Sequence, residues 1–134
     1  MRDTLVPMKL CVERETIRRY AELTADYNPI HVDPEFAATT PMRGVIAHGT
    51  LSMNLLLQAI AETFGPEALA GAELDVRFLK PVREGDTVEA GGARDQQAAG
   101  AFEVWIDNQE GVRVIEGTAK VPGAVVNRRI ECRE

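Results

Sequence analysis

The sequence has few cysteines and no long apolar run. Its two cysteines, Cys11 and Cys132, are too few and too far apart for a disulfide framework or a metal-binding knuckle. No apolar stretch is long enough to span a membrane, and the N-terminus has no signal-peptide core. We therefore expect a cytoplasmic protein with free thiols and no membrane partner.

Positive charge is also scarce. The chain has three lysines, its arginines are scattered, and its net charge is −6. A nucleic-acid-binding surface needs a basic patch, so we expect no nucleic-acid partner. At 134 residues and without internal repeats, the chain fits a single domain over residues 1–121, followed by a polar C-terminal tail over residues 122–134.

Helical patterns come first along the chain and strand patterns second. Apolar residues at helical spacing predict a helix over residues 14–25, and Asp33 followed by Pro34 predicts the start of a short helix. A longer helix is predicted from Thr50 to Phe64; it is apolar on nearly every side, which indicates burial. Alternating apolar residues predict strands at about 74–78, 87–94, 102–106 and 112–121.

These elements predict an α+β fold. A curved antiparallel sheet would wrap round the long helix, which would then bury all its faces. A sheet of this size in so short a chain leaves an edge or a face to cover. We therefore expect a homodimer, or a higher oligomer.

The residues that can carry chemistry lie between Asp26 and Gly49. Asp26 and His31 are separated by a turn at Asn28-Pro29, and His48 comes directly before Gly49. A carboxylate and an imidazole that share one water can move protons on one face of a substrate. The alternative is architectural, with Asp26 capping a turn and His31 serving as a hydrogen-bonded core histidine.

Gly49 stands at the predicted start of the long helix, where backbone N–H groups are free and the helix dipole is positive. An amide there can stabilise an oxyanion, and losing one such donor typically costs about 3 kcal/mol in the barrier. The alternative is that Gly49 only allows a close approach to the sheet. His48, beside the positive helix end, is interpreted as a neutral structural or pocket-lining histidine.

The string Tyr-Ala-Glu-Leu-Thr-Ala-Asp-Tyr-Asn-Pro-Ile-His-Val-Asp at residues 20–33 resembles the signature of the MaoC-like family, and Ala47-His48-Gly49 continues the match. The resemblance, which also includes residues 77–82, covers most of residues 12–121. It implies the hot-dog fold and a hydro-lyase, an (R)-specific enoyl-CoA hydratase or 3-hydroxyacyl dehydratase. Such an enzyme adds water reversibly to 2-enoyl thioesters. Coenzyme A or an acyl carrier would enter as part of the substrate, and no metal or other cofactor is implied.

The resemblance also assigns roles to residues. It implies that Asp26, His31 and the Gly49 amide are catalytic. The residues expected to bind the substrate or support the site are Asn28, Ala47, His48 and Thr50. Among these, Asn28 is interpreted mainly as a turn residue. Two positions depart from the family pattern: Ala25 stands where glycine commonly precedes the aspartate, and Leu57 stands where some members have a serine.

Two other classes of function remain open. Acyl-CoA thioesterases of the same fold usually place an acidic residue on the first turns of the central helix, whereas residues 50–61 contain no Asp or Glu. A non-catalytic acyl-thioester-binding subunit would be expected to have lost Asp26 or His31, and this chain retains both.

Overall fold

Residues 3–124 are described by the structure, which is a computed structural model. The helices are α1 (Arg14–Thr24), α2 (Pro29–Val32), α3 (Pro34–Ala38) and α4 (Gly49–Phe64), and a 3-10 turn at Pro66–Leu69 follows α4. The strands are β1 (Met8–Cys11), β2 (Glu73–Phe78), β3 (Thr87–Arg94), β4 (Ala101–Asn108) and β5 (Arg113–Lys120). Most of the predicted tail, with Cys132, lies outside the described residues.

The five strands form one antiparallel sheet in the order β1-β3-β4-β5-β2. Strands β3, β4 and β5 follow one another as a meander, while β2 pairs with β5 and β1 pairs with β3 at the two edges. The pleat sends alternate side chains to the core. On β3 and β4 these buried side chains are Val88, Ala90, Phe102, Val104 and Ile106.

Helix α4 packs against β1, β3 and β4 and supplies one apolar stripe to the core. Its buried residues are Ser52, Leu55, Leu56, Ala59, Ile60 and Phe64. Met53 and Leu57 are only partly buried, and Gln58 is exposed. The expectation that this helix buries all its faces is therefore wrong for the single chain, because the sheet of one chain covers only one side of the helix.

The predicted helices and strands are present, with small shifts at their ends. Asp33 caps α3 as predicted, because its Oδ1 accepts hydrogen bonds from the N–H groups of Glu35 and Phe36 at 3.1 and 3.2 Å. Helix α4 begins at Gly49, one residue earlier than predicted. Strand β1 was not predicted, because a four-residue strand carries too little alternation to stand out.

The described part of the chain bears on the expected absence of a membrane-spanning segment and on the expected free thiols. No helix within residues 3–124 combines the length and the apolar character needed to cross a membrane. Cys11 is an exposed free thiol.

Candidate active site

The end of α1 places Asp26. Ala25 adopts the left-handed conformation, with φ 57° and ψ 30°, and ends the helix. The next N–H, that of Asp26, donates to the Ala21 carbonyl at 3.1 Å, so the chain turns sharply as it leaves the helix. The Asp26 side chain is exposed, and its Oδ1 accepts a hydrogen bond from the Asn28 N–H at 3.3 Å.

Asn28 shapes the turn between Asp26 and His31. Its Oδ1 accepts a hydrogen bond from the Ile30 N–H at 3.1 Å, and its carbonyl accepts one from the His31 N–H at 2.9 Å. Pro29 is the first residue of α2, where its missing N–H costs nothing. This geometry matches the interpretation of Asn28 as a turn residue, and it replaces the simple turn of the sequence prediction with a short capped helix.

The orientation of His31 is fixed by the main chain. Its Nδ1 lies 2.7 Å from the carbonyl oxygen of Ile46. A carbonyl oxygen can only accept, so Nδ1 carries the hydrogen and donates it, an assignment made from the hydrogen-bond network. In the neutral ring, Nε2 therefore carries the lone pair that a general base requires.

His48 is the residue before α4, and its ring stacks on the ring of His31 with centroids 3.9 Å apart and planes at 26°. The ring is buried, and its Nε2 donates to the main-chain carbonyl of Asp26 at 3.0 Å. His48 thereby joins the turn after α1 to the start of α4. The structure places it as a supporting histidine in contact with His31.

The structure brings Asp26, His31 and His48 together. One carboxylate oxygen and one ring nitrogen from each histidine all lie within 4.8 Å of one another. A single water with two hydrogen bonds of about 2.8 Å can bridge such a distance. The predicted convergence of Asp26 and His31 on one water is therefore geometrically feasible.

A cavity of about 340 Å³ opens beside these groups. It is lined by His31, Met42, Ile46, Ala47, His48, Gly49, Ser52, Phe78, Leu79, Lys80, Pro81, Val82 and Ile115. Such a size suits a small-molecule site with mostly apolar walls and a few polar groups. His31 belongs to this lining, whereas Asp26 does not.

Gly49 is the first residue of α4, so its N–H has no acceptor within the helix. The helix start faces the cavity, which Gly49 lines. A Cβ added at Gly49 would lie 2.9 Å from the Phe78 ring, closer than real Cβ contacts. The close approach and the free amide are therefore both features of this position, and they do not exclude each other.

Ala47 and Thr50 flank the His48-Gly49 pair and make different contacts. Ala47 is buried, and its N–H donates to the Val82 carbonyl at 2.7 Å. The Thr50 hydroxyl accepts a 2.7 Å hydrogen bond from the Tyr20 hydroxyl on α1. Thr50 therefore connects the start of α4 to α1 and does not line the cavity, whereas Ala47 does.

Sequence reasoning missed three residues at the site. Tyr20, the first residue of the 20–33 string, was not predicted to contact the site, yet its ring lies edge-on to His48 with centroids 5.1 Å apart. Asn54 donates to the Tyr20 hydroxyl at 3.4 Å. Ser52 is buried and lines the cavity. Its position in the first turns of a helix predicted to be buried is the sequence signal that could have identified it.

The cluster of Asp26, His31 and His48 contains the ligand types of a metal site. The stacked rings oppose that use, because in-plane lone pairs on two nearly parallel rings run side by side instead of meeting at one centre. The residues therefore fit proton transfer better than metal ligation. The expectation that the protein needs no metal stays a prediction.

Comparisons with known proteins agree with this fold. The R-hydratase PhaJ1 of Pseudomonas aeruginosa, a solved structure, superposes with a TM-score of 0.75 at 25% identity, covering 91% of this chain and 82% of that one. The five-stranded antiparallel sheet and the central helix thus define a hot-dog protein. Residues 2–116 match the family described as MaoC like domain. The chain belongs to the MaoC-like family.

Two relatives illustrate the sequence similarity. The (R)-specific enoyl-CoA hydratase of Aeromonas caviae is 29% identical over 109 residues, which cover 78% of this chain and 81% of that protein. The 3-hydroxybutyryl-CoA dehydratase of Methylorubrum extorquens is 41% identical over 71 residues, 52% of this chain. The match spans 45% of the length of that second relative.

Proposed function

We propose that this chain is a hydro-lyase, an (R)-specific enoyl-CoA hydratase or 3-hydroxyacyl-thioester dehydratase. It adds water reversibly across the double bond of a trans-2-enoyl thioester and forms the (R)-3-hydroxyacyl thioester. One observation carries the proposal: Asp26 and His31 are within reach of a single water beside a helix start that opens on a mostly apolar cavity. The named activities of its relatives support it.

In the hydration direction, Asp26 and His31 hold the attacking water against the β-carbon of the enoyl group. The water oxygen forms a bond to that carbon while a proton leaves the water for one of the two side chains. A proton is returned to the α-carbon, so that the elements of one water are added in total. His31 enters with Nδ1–H held by Ile46 and with Nε2 available for proton transfer.

The backbone amide of Gly49 stabilises the negative charge that forms on the thioester. As water adds, negative charge develops on the thioester oxygen, and the N–H at the start of α4 stabilises that charge. The positive end of the helix dipole adds to this stabilisation. The acyl chain then occupies the apolar cavity. Coenzyme A or an acyl carrier protein belongs to the substrate, and the proposal includes no other cofactor.

We also propose a homodimer or a higher oligomer. Strand β2 has β5 on one side and no strand partner on the other among residues 3–124. At its end, Phe78 is 55% exposed beside the cavity. Covering an open strand edge and an exposed aromatic ring is a common reason for self-association. A cytoplasmic location, supported by the scarcity of cysteine, belongs to the same proposal.

The test is a spectrophotometric assay of the purified chain with 2-butenoyl-CoA. We expect the absorbance of the conjugated enoyl thioester to fall and chiral analysis to identify the (R)-3-hydroxy product. The Asp26→Asn variant, matched in size, serves as the control and should be nearly inactive. Release of free thiol would instead indicate a thioesterase, and binding without either change would indicate a non-catalytic acyl-thioester-binding subunit.

A further inference from the structure

Two buried polar atoms, on residues that line the cavity, have no hydrogen-bond partner among the residues that the structure describes. They are Nδ1 of His48 and Oγ of Ser52. His48 is 3% exposed and Ser52 1% exposed, and both residues line the cavity. Buried polar atoms in native proteins nearly always find a partner, which for a cavity wall is a ligand group or a water.

The chemistry of the two atoms is complementary. Nε2 of His48 donates to the Asp26 carbonyl, so Nδ1 of the neutral ring is an acceptor. The Ser52 hydroxyl has one hydrogen to donate and lone pairs to accept. An acceptor and a donor on two residues that line the same cavity suit a group that both donates and accepts, and a hydroxyl is the simplest such group.

The helix itself does not satisfy Ser52. A serine or threonine in a helix can donate to the carbonyl four residues earlier. Thr63, on the same helix, makes this bond to the Ala59 carbonyl at 2.6 Å. Ser52 makes no such bond to His48, whose carbonyl accepts instead from the Leu51 N–H at 3.1 Å. The Ser52 hydroxyl therefore has no partner among the described residues.

We propose that His48 Nδ1 and Ser52 Oγ form a subsite that binds one hydroxyl group. Ser52 follows Gly49 by three residues, about 4.5 Å along the helix axis. With carbon–carbon bonds of about 1.5 Å, this is roughly the distance from a thioester carbonyl held at Gly49 to C4 of the acyl chain. The assignment of the subsite to C4 of the acyl chain rests on the proposed function. The assignment of His48 Nδ1 and Ser52 Oγ to one subsite does not.

The hydroxyl can come from the acyl chain or from an ordered water. Butanoyl-CoA and 4-hydroxybutanoyl-CoA separate these sources, because both are saturated and differ only in the hydroxyl. By calorimetry we expect the wild-type protein to bind the hydroxylated thioester about fivefold to tenfold more tightly, the gain of one good hydrogen bond. Ser52→Ala should bring the ratio of the two dissociation constants close to one.

A matched control is Thr118→Ala, which removes an exposed hydroxyl from β5. It should keep the wild-type ratio. Ser52→Ala should also melt at the wild-type temperature or above, because it breaks no hydrogen bond within the described chain and removes a buried polar group. A lower Tm would mean that Ser52 has a structural partner and would overturn the proposal.

A crystal structure of the free protein tests whether the hydroxyl at this subsite comes from an ordered water. A water within hydrogen-bonding distance of both atoms in the wild type, and absent in Ser52→Ala, would assign the subsite to solvent. Equal binding of the two thioesters together with no such water would overturn the proposal, as would a preference that survives in Ser52→Ala. If the thioesters bind and 2-butenoyl-CoA is not hydrated, the proposed function fails while the binding ratio still tests the subsite. If neither thioester binds, the water alone decides.

Discussion

The hydroxyl of Tyr20 on α1 donates a 2.7 Å hydrogen bond to the hydroxyl of Thr50 in the first turn of α4. The two helices carry the separate halves of the site, because Asp26 follows α1 and Gly49 begins α4. Tyr20 also lies edge-on to His48, which stacks on His31. This contact therefore helps to set the distance between Asp26 and the Gly49 amide.

Replacing Tyr20 with Phe should loosen that distance while keeping the ring. We expect a loss of about 0.5–1 kcal/mol in the free energy of unfolding, the usual scale for one hydrogen bond, and a fall in kcat with little change in KM. A double-mutant cycle with Thr50→Val measures the contact itself. Additive effects of the two substitutions on kcat would show that the hydroxyl pair does not act on the site.

Asp26→Asn and His31→Ala should each fold normally and lose at least roughly a hundredfold in the hydration rate, the scale of a general acid–base group. Circular dichroism and thermal melting check the fold, and the absorbance of the enoyl thioester follows the rate. Full activity in either variant would mean that the pair is architectural.

Gly49→Ala should displace the Phe78 ring or the start of α4, because the new Cβ would lie 2.9 Å from that ring. Removing an oxyanion donor costs about a hundredfold to a thousandfold in kcat, so a displaced donor should cost at least about tenfold. Adding Phe78→Leu, which relieves the contact, should restore part of the activity. If the double variant is no better than Gly49→Ala, the ring is not the cause of the loss.

Ala25→Gly should stabilise the protein. A residue with a Cβ pays for the left-handed conformation that ends α1, and glycine does not. Glycine also loses more chain entropy on folding than alanine, which offsets part of this gain. We expect a net gain of about 0.5–1 kcal/mol in the free energy of unfolding, measured by urea titration. The control Ala61→Gly, inside α4, should lose about 1 kcal/mol. Equal destabilisation by both substitutions would contradict this account.

Local patterns predicted most of the fold. The cap at Asp33, the spacing of α1 and the alternation of the longer strands each depend on a few neighbouring residues, so they can be read from the sequence. The four-residue strand β1 could not, because it is defined by pairing with β3 rather than by its own pattern. The burial of α4 was overestimated because apolar composition does not state how much of a helix one sheet can cover.

The candidate site was predictable only in part. Asp26 and His31 are joined by one capped turn, and their proximity follows from five residues of sequence. The stacking of His48 on His31 depends on how the chain from 39 to 47 returns to the sheet, which no local pattern encodes. The contact of Tyr20 with Thr50 spans thirty positions and appears only once the two helices are packed.

Both imidazoles are anchored to carbonyl oxygens of the peptide backbone, His31 to that of Ile46 and His48 to that of Asp26. Because both acceptors are main-chain oxygens, these hydrogen bonds do not depend on which side chain occupies position 26 or 46. The aspartate can therefore be exchanged without removing the oxygen that steadies its neighbouring ring. A substitution at position 26 can therefore change the acid while His31 keeps its orientation against the Ile46 carbonyl.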